Sequence, residues 1–261
     1  MGHERLGYLP KTRTWTKIVG EIAEFSENPE IVSEIAKDTT ESVRNRFSGI
    51  TKDEGVINAF KFLVLLSHST QVENPYSFLE KNGIKLSSAS DAFDISISAK
   101  QFIEEKLKLK EYGTLATQST LDTIADWFSK NESKQGTLNI FEANPLEKWK
   151  KAGTGAGFSE ISRLFFSNFT KRYLRYFLER EAAWRIQSVD GRVQFNKRID
   201  EHVDKITLHA FETAKITQGF SAGWFNKNGL QSIPSDKGIQ GFLSFAFKKI
   251  NSELVRGEGE L

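Results

Sequence analysis

Basic and aromatic side chains are interleaved between Ser159 and Gln187, and this combination is the one in the sequence best suited to binding. The side chains concerned are Arg163, Lys171, Arg172, Arg175, Tyr176 and Arg180. Because a helix turns once in 3.6 residues, Arg163, Lys171 and Arg175 share one face. Cations neutralise phosphates and rings stack on bases, so the segment predicts contact with nucleic acid or with a protein partner. The alternative is an amphipathic helix with a buried aromatic face and a solvated basic face.

Three glycines stand just before this segment, in an arrangement that partly matches a phosphate-binding loop. They are Gly153, Gly155 and Gly157. A dinucleotide-binding loop requires G-x-G-x-x-G after a strand, but Phe158 occupies the place of its last glycine. A P-loop requires Lys and then Ser or Thr at this point, where the sequence has Phe158 and Ser159. We therefore expect no cofactor and interpret the glycines as a hinge that opens a helix, with Ser159 as its cap.

A nuclease-like set of side chains comprises Asp94, Glu104 and Lys106, in the pattern D-x9-E-x-K. Two carboxylates can hold a divalent metal while a lysine lies near the attacking water, which is the chemistry of metal-dependent phosphodiester cleavage. The pattern also arises by chance in a chain with 27% charged residues. Its second half has helical periodicity, whereas such a site usually uses a strand. Nuclease activity is therefore an alternative, and we expect neither a catalytic site nor a bound metal.

Trp224 and Phe225 follow the small-residue spacing Gly219-x-x-x-Gly223. Small residues at this spacing allow close helix packing, and the two aromatic residues would then end a helix in the core. An exposed Trp-Phe pair would instead anchor a partner or enter a membrane interface. A peripheral membrane-active protein is therefore a further hypothesis.

Composition limits the class of protein. The chain has 261 residues, 38% of them hydrophobic, and a net charge of only +2, so it can fold but is no general polycation. It has no cysteine, which excludes disulfides, thiolate metal sites and cysteine catalysis. The longest apolar stretch, Val56 to Leu66, is interrupted by Asn58 and Lys61 and predicts a buried helix rather than a membrane span. The start of the chain lacks an apolar signal segment, so we expect a cytoplasmic location.

Nearly every apolar pattern in the chain has helical period, which predicts an all-α fold. Between residues 85 and 113 the pattern is ambiguous, because the alternation of Phe93, Ile95 and Ile97 also fits a strand, and we favour helix from about Ser98 onward. Two long patterns, from Ser159 to Gln187 and from Arg192 to Gln218, are separated only by a short turn. A short turn between long helices predicts an antiparallel helical hairpin in the C-terminal half of a helical bundle.

The polar stretch from Ser129 to Gly136 is the best linker in the chain. It predicts a helical region over residues 1–129 and a long-helix bundle over residues 144–261, or one continuous domain. We predict a non-catalytic binding subunit of a larger assembly, with a protein partner or nucleic acid bound by the basic-aromatic helix and no transmembrane segment. A bacterial system such as phage defence is one setting that suits such a subunit.

Overall fold

The computed structural model of the chain describes residues 10, 12–43, 49–87, 90–105, 112–131, 145–212, 215–229 and 232–256. Within these ranges the chain forms helices and no strand, which confirms the predicted all-α class. The helices of the first half are α1 (Arg13–Glu24), α2 (Val32–Ser42), α3 (Glu54–Ser69), α4 (Pro75–Lys81), α5 (Ala92–Glu104) and α6 (Gly113–Asn131).

The second half contains the two longest of the described helices. Its helices are α7 (Pro145–Trp149), α8 (Gly155–Arg185), α9 (Val189–Glu212), α10 (Lys215–Trp224) and α11 (Asp236–Arg256). Single 3₁₀ turns precede α2 and α8, at Pro29–Ile31 and Lys150–Gly153, and a π-helical turn, Phe225–Gly229, continues α10.

Helix α5 begins earlier than its sequence pattern predicts. We expected helix from about Ser98, whereas the helix starts at Ala92. The Asp91 side chain accepts a hydrogen bond from the Asp94 amide over 2.9 Å, and the Asp94 side chain accepts one from the Asp91 amide over 3.0 Å. This reciprocal capping box satisfies two amides at the helix start, and it fixes the boundary locally.

Helix α8 forms the centre of the fold. All residues from Ile161 to Thr170 are buried, so no side of this stretch faces solvent. The helix packs extensively against α6 and α9 and also contacts α1, α2, α3 and α10. Its large side chains with the least exposure are Phe158, Phe165, Phe166, Phe169, Tyr173 and Phe177.

Phe60 on α3 joins helices from both halves of the chain. Its ring centroid lies 5.4 Å from Phe165, 5.6 Å from Phe166 and 5.2 Å from Phe242 of α11. Aromatic pairs at such distances add about 0.5–1.5 kcal/mol each beyond their burial. Buried side chains from the predicted regions 1–129 and 144–261 therefore belong to one hydrophobic cluster.

Helices α8 and α9 run antiparallel and are joined by residues 186–188. Lys171 pairs with Asp204, and Arg175, one turn further along α8, pairs with Asp200, one turn earlier in α9. A step of four residues forward on one helix thus matches a step of four residues back on the other. The end of α8 and the start of α9 therefore lie next to each other at one end of the hairpin.

We predict that Phe60→Ala lowers the free energy of unfolding by about 3–5 kcal/mol, because it removes a fully buried ring and leaves a cavity. The matched control is Phe93→Ala, since Phe93 is 70% exposed and its truncation should change stability by less than about 0.5 kcal/mol. Urea unfolding followed by circular dichroism measures both. Equal effects of the two substitutions would contradict the central position of Phe60.

Candidate functional site

Cations in the middle of the predicted basic face are bound to carboxylates of neighbouring helices. The Lys171 ammonium lies 2.7 Å from the Asp204 carboxylate of α9. The Arg172 guanidinium lies 2.5 Å from Asp122 of α6. These two side chains connect α8 to its two main neighbours, and their charges are neutralised within the protein.

Arg163 and Arg175 have similar surroundings. Arg163 is buried, and its Nε and Nη2 atoms both donate to the Glu160 carboxylate over 2.8 Å. Arg175 lies 2.6 Å from Glu179 on the same helix and 3.5 Å from Asp200 on α9. Four of the five predicted contact cations therefore have carboxylate partners, and the middle of α8 presents no uncompensated positive charge.

Asp200 makes a longer ion pair than Asp204 does, 3.5 Å to Arg175 against 2.7 Å to Lys171. Burial raises its pKa above the ordinary value of 3.8, and the nearby charges of Arg175 and Lys171 only partly oppose this effect. Its Oδ1 atom is buried and accepts no hydrogen bond. Ionisation of Asp200 is therefore unfavourable in the folded protein compared with the unfolded chain.

The far end of α8 differs from its middle. Tyr176 is half-buried, with its ring 5.2 Å from that of Phe177, but Arg180 and Arg185 are exposed. Neither arginine makes an ion pair with any residue that the structure describes. Trp184 lies between them in the sequence and is 77% exposed. An uncovered tryptophan beside two uncompensated cations is the strongest surface candidate for a contact site.

The position of Trp184 results from a mismatch between α8 and the core. Trp184 follows Phe177 by seven residues, which is about two helical turns, so both point to the same side of the helix. Phe177 is fully buried, whereas Trp184 is uncovered. The apolar stripe of α8 thus continues past the helices that cover it.

The start of α9 adds apolar surface at the same end of the hairpin. Val189 and Val193 are one turn apart on α9, and both are exposed. The turn before them is held by Arg192, whose Nη1 atom donates to the Ile186 carbonyl over 2.9 Å. We call Arg180, Trp184, Arg185, Val189 and Val193 the hairpin-end surface. A shallow groove of about 360 Å³ lies within it, lined by Arg180, Glu181, Trp184 and Arg185.

Of the hairpin-end surface, only Arg180 is among the contact residues predicted from the sequence; Trp184 and Arg185 belong to the same basic-aromatic segment but are not selected, and neither are Val189 and Val193. A usable signal existed for Trp184, because it continues the Phe177 stripe only a few residues before a turn. No comparable signal marks the two valines, since Val193 is predicted on the same face as the buried Ile199 and Val189 lies in the segment predicted as a turn.

The three glycines predicted as a hinge lie where the backbone is closely packed. A Cβ atom at Gly153 would stand 2.1 Å from the Thr70 hydroxyl, and one at Gly157 would stand 1.9 Å from the Lys151 carbonyl. At Gly155 it would lie 3.0 Å from Ala222 on α10. Close approach of other groups thus accounts for glycine at all three positions.

The predicted cap of α8 is wrong. Thr154 caps the helix, because its hydroxyl accepts a hydrogen bond from the Gly157 amide over 3.0 Å. Ser159 is buried one turn inside the helix. Gly153 ends the preceding 3₁₀ turn, whereas Gly155 and Gly157 lie in the helix, which starts four residues before the predicted cap.

Trp224 and Phe225 pack against the start of α8. Phe225 is fully buried, and its ring stacks on Phe158 with centroids 4.2 Å apart and planes 12° apart. Trp224 is half-buried, with its ring 4.7 Å from that of Phe242. The pair predicted as an anchor is thus engaged mainly in packing α10 and its π-helical turn against α8 and α11.

The nuclease-like carboxylates lie at opposite ends of α5. Asp94 belongs to the capping box at the start of the helix, and Glu104 is its last residue. Ten residues of helix separate their backbones by about 15 Å, which is more than one metal ion can bridge. Lys106 lies outside the described residues.

Comparisons with protein-family models, with curated proteins and with solved structures find no match to this chain. In the described part of the chain, none of the helices is long and apolar enough to cross a bilayer.

We predict that replacing Asp200 with Asn removes a loss of stability that occurs as pH rises. A carboxyl group with a raised pKa in the folded state contributes stability below its ordinary pKa and loses it as pH rises through the raised value. The free energy of unfolding of the wild type, relative to Asp200→Asn, should therefore fall from pH 3.5 toward neutral pH. Urea titrations at several pH values measure this difference. If the wild type instead becomes more stable relative to Asp200→Asn as pH rises, the ion pair with Arg175 stabilises the ionised carboxylate by more than burial destabilises it.

Proposed function

We propose that the protein is a non-catalytic helical subunit that binds a partner protein through the hairpin-end surface. The observation that carries this proposal is the exposure of Trp184 between Arg180 and Arg185, neither of which has an ion-pair partner among the described residues. The remainder of the predicted basic helix is engaged with carboxylates of the same chain, so contact through its middle would first require those pairs to break.

The residue types on the hairpin-end surface are those that contribute most to the affinity of protein–protein interfaces. Tryptophan and arginine dominate the residues whose truncation most weakens protein complexes. Covering an exposed tryptophan removes roughly 150 Å² of mostly apolar surface from water, worth about 4 kcal/mol at 25 cal/mol per Å² before the costs of association. The two arginines then require carboxylates on the partner around the pocket that receives Trp184.

Three features favour a protein over nucleic acid as the partner. Glu181 lines the same groove as the two arginines and would repel a phosphate chain. Val189 and Val193 offer apolar contact that a sugar-phosphate backbone does not use. The two free arginines also form a very short basic track, whereas nucleic-acid affinity rests on several neutralised phosphates.

We predict that Trp184→Ala weakens partner binding by about 2 kcal/mol or more, roughly thirtyfold in Kd. Arg180→Glu with Arg185→Glu should also weaken it, because both charges then face the partner's carboxylates. The immobilised chain first captures the partner from native extract with and without nuclease treatment, and calorimetry with the purified partner then gives each Kd.

The matched controls are Phe93→Ala and Lys100→Glu, an exposed aromatic residue and an exposed cation on α5. Both should leave the Kd unchanged. Equal loss in Trp184→Ala and Phe93→Ala would show that the hairpin end is not the contact surface. Capture that disappears after nuclease treatment, together with a steep dependence of affinity on salt, would identify nucleic acid as the ligand instead.

A further inference from the structure

Three carboxylates from α1 and α2 converge on a single ammonium group. The Lys17 Nζ atom lies 2.5 Å from Glu34 Oε1, 2.9 Å from Asp38 Oδ2 and 3.0 Å from Glu21 Oε1. The group carries three negative charges and one positive charge, so two negative charges remain uncompensated. No other group of three or more acidic or histidine side chains in the described ranges converges in this way.

Lysine does not satisfy all the buried oxygens of this cluster. The Glu21 side chain is only 9% exposed, and its second oxygen, Oε2, is buried and accepts no hydrogen bond. An ammonium group has three protons, and the contacts to Glu21 Oε1, Glu34 and Asp38 use all of them. A buried carboxylate oxygen without a partner is costly, so a cation that contacted both oxygens of Glu21 would satisfy an atom that lysine leaves unsatisfied.

The dimensions of the cluster suit a hard divalent ion. The three carboxylates can each offer an oxygen within 4.8 Å of the others. Two oxygens on opposite sides of a Ca²⁺ ion, each bound at about 2.4 Å, are separated by about the same distance. Calcium takes six to eight oxygens, so it can accept both oxygens of Glu21 and leave positions for water. The Lys17 side chain is 50% exposed and can leave the cluster by rotating toward solvent.

We propose that Glu21, Glu34 and Asp38 form a binding site for a divalent cation with oxygen ligands, in which the Lys17 ammonium acts as a tethered competitor. When the ion binds, Lys17 moves into solvent and the ion joins α1 to α2. This site is separate from the hairpin-end surface, and it does not depend on the proposed function.

The test is calorimetric titration of the chelator-treated full chain with Ca²⁺ alone. We expect one ion per chain, binding at least tenfold tighter in Lys17→Met, and a return toward wild-type affinity in Lys17→Arg. Adding Asp38→Asn to Lys17→Met should weaken binding at least tenfold. Asp236→Asn, an exposed carboxylate paired with Lys61, is the matched control and should have no effect.

Two results would overturn the proposal. One is the absence of Ca²⁺ binding in both the wild type and Lys17→Met. The other is undiminished binding after Asp38→Asn, which would place the ion elsewhere. If circular dichroism shows that Lys17→Met is unfolded, the comparison is made between the wild type and Glu34→Gln, a half-exposed ligand whose change should not prevent folding. Equal Ca²⁺ affinity in that pair would likewise refute the site.

Discussion

The fold depends on covering one helix that is buried on every side along much of its length. Between Ile161 and Thr170 no face of α8 is left for solvent, so other helices have to surround it. Helices α6 and α9 lie along it, α10 packs near its start, and α3 reaches it through Phe60. A central helix of this kind explains why both halves of the chain share one hydrophobic cluster although a polar stretch separates them in sequence.

Sequence periodicity was sufficient for the class of fold but not for every boundary. The buried helix predicted from Val56 to Leu66 lies within α3, because its apolar run leaves no other stable arrangement. At the start of α5 the alternation of Phe93, Ile95 and Ile97 imitated a strand. Only Ile95 is buried there, and the local capping box decides the conformation instead.

The candidate site was less predictable, because the partners of its charges are distant in sequence. Asp122 lies 50 residues from Arg172, and Asp204 lies 33 residues from Lys171. Helical spacing within α8 places the cations on a face but carries no information on which helix covers that face. The near balance of 36 basic and 34 acidic residues favours internal pairing in general, without indicating which cations stay free.

The same helix that organises the core also presents the hairpin-end surface, and this arrangement has an energetic consequence. Binding loses affinity when loose side chains and loops must be ordered. Here the turn after α8 is already fixed by Arg192 on the Ile186 carbonyl, and Ile186 itself is buried. Valine at positions 189 and 193 has little rotamer freedom to lose. Trp184 therefore lies next to a turn whose backbone is already held in place, which lowers the ordering cost of the proposed contact.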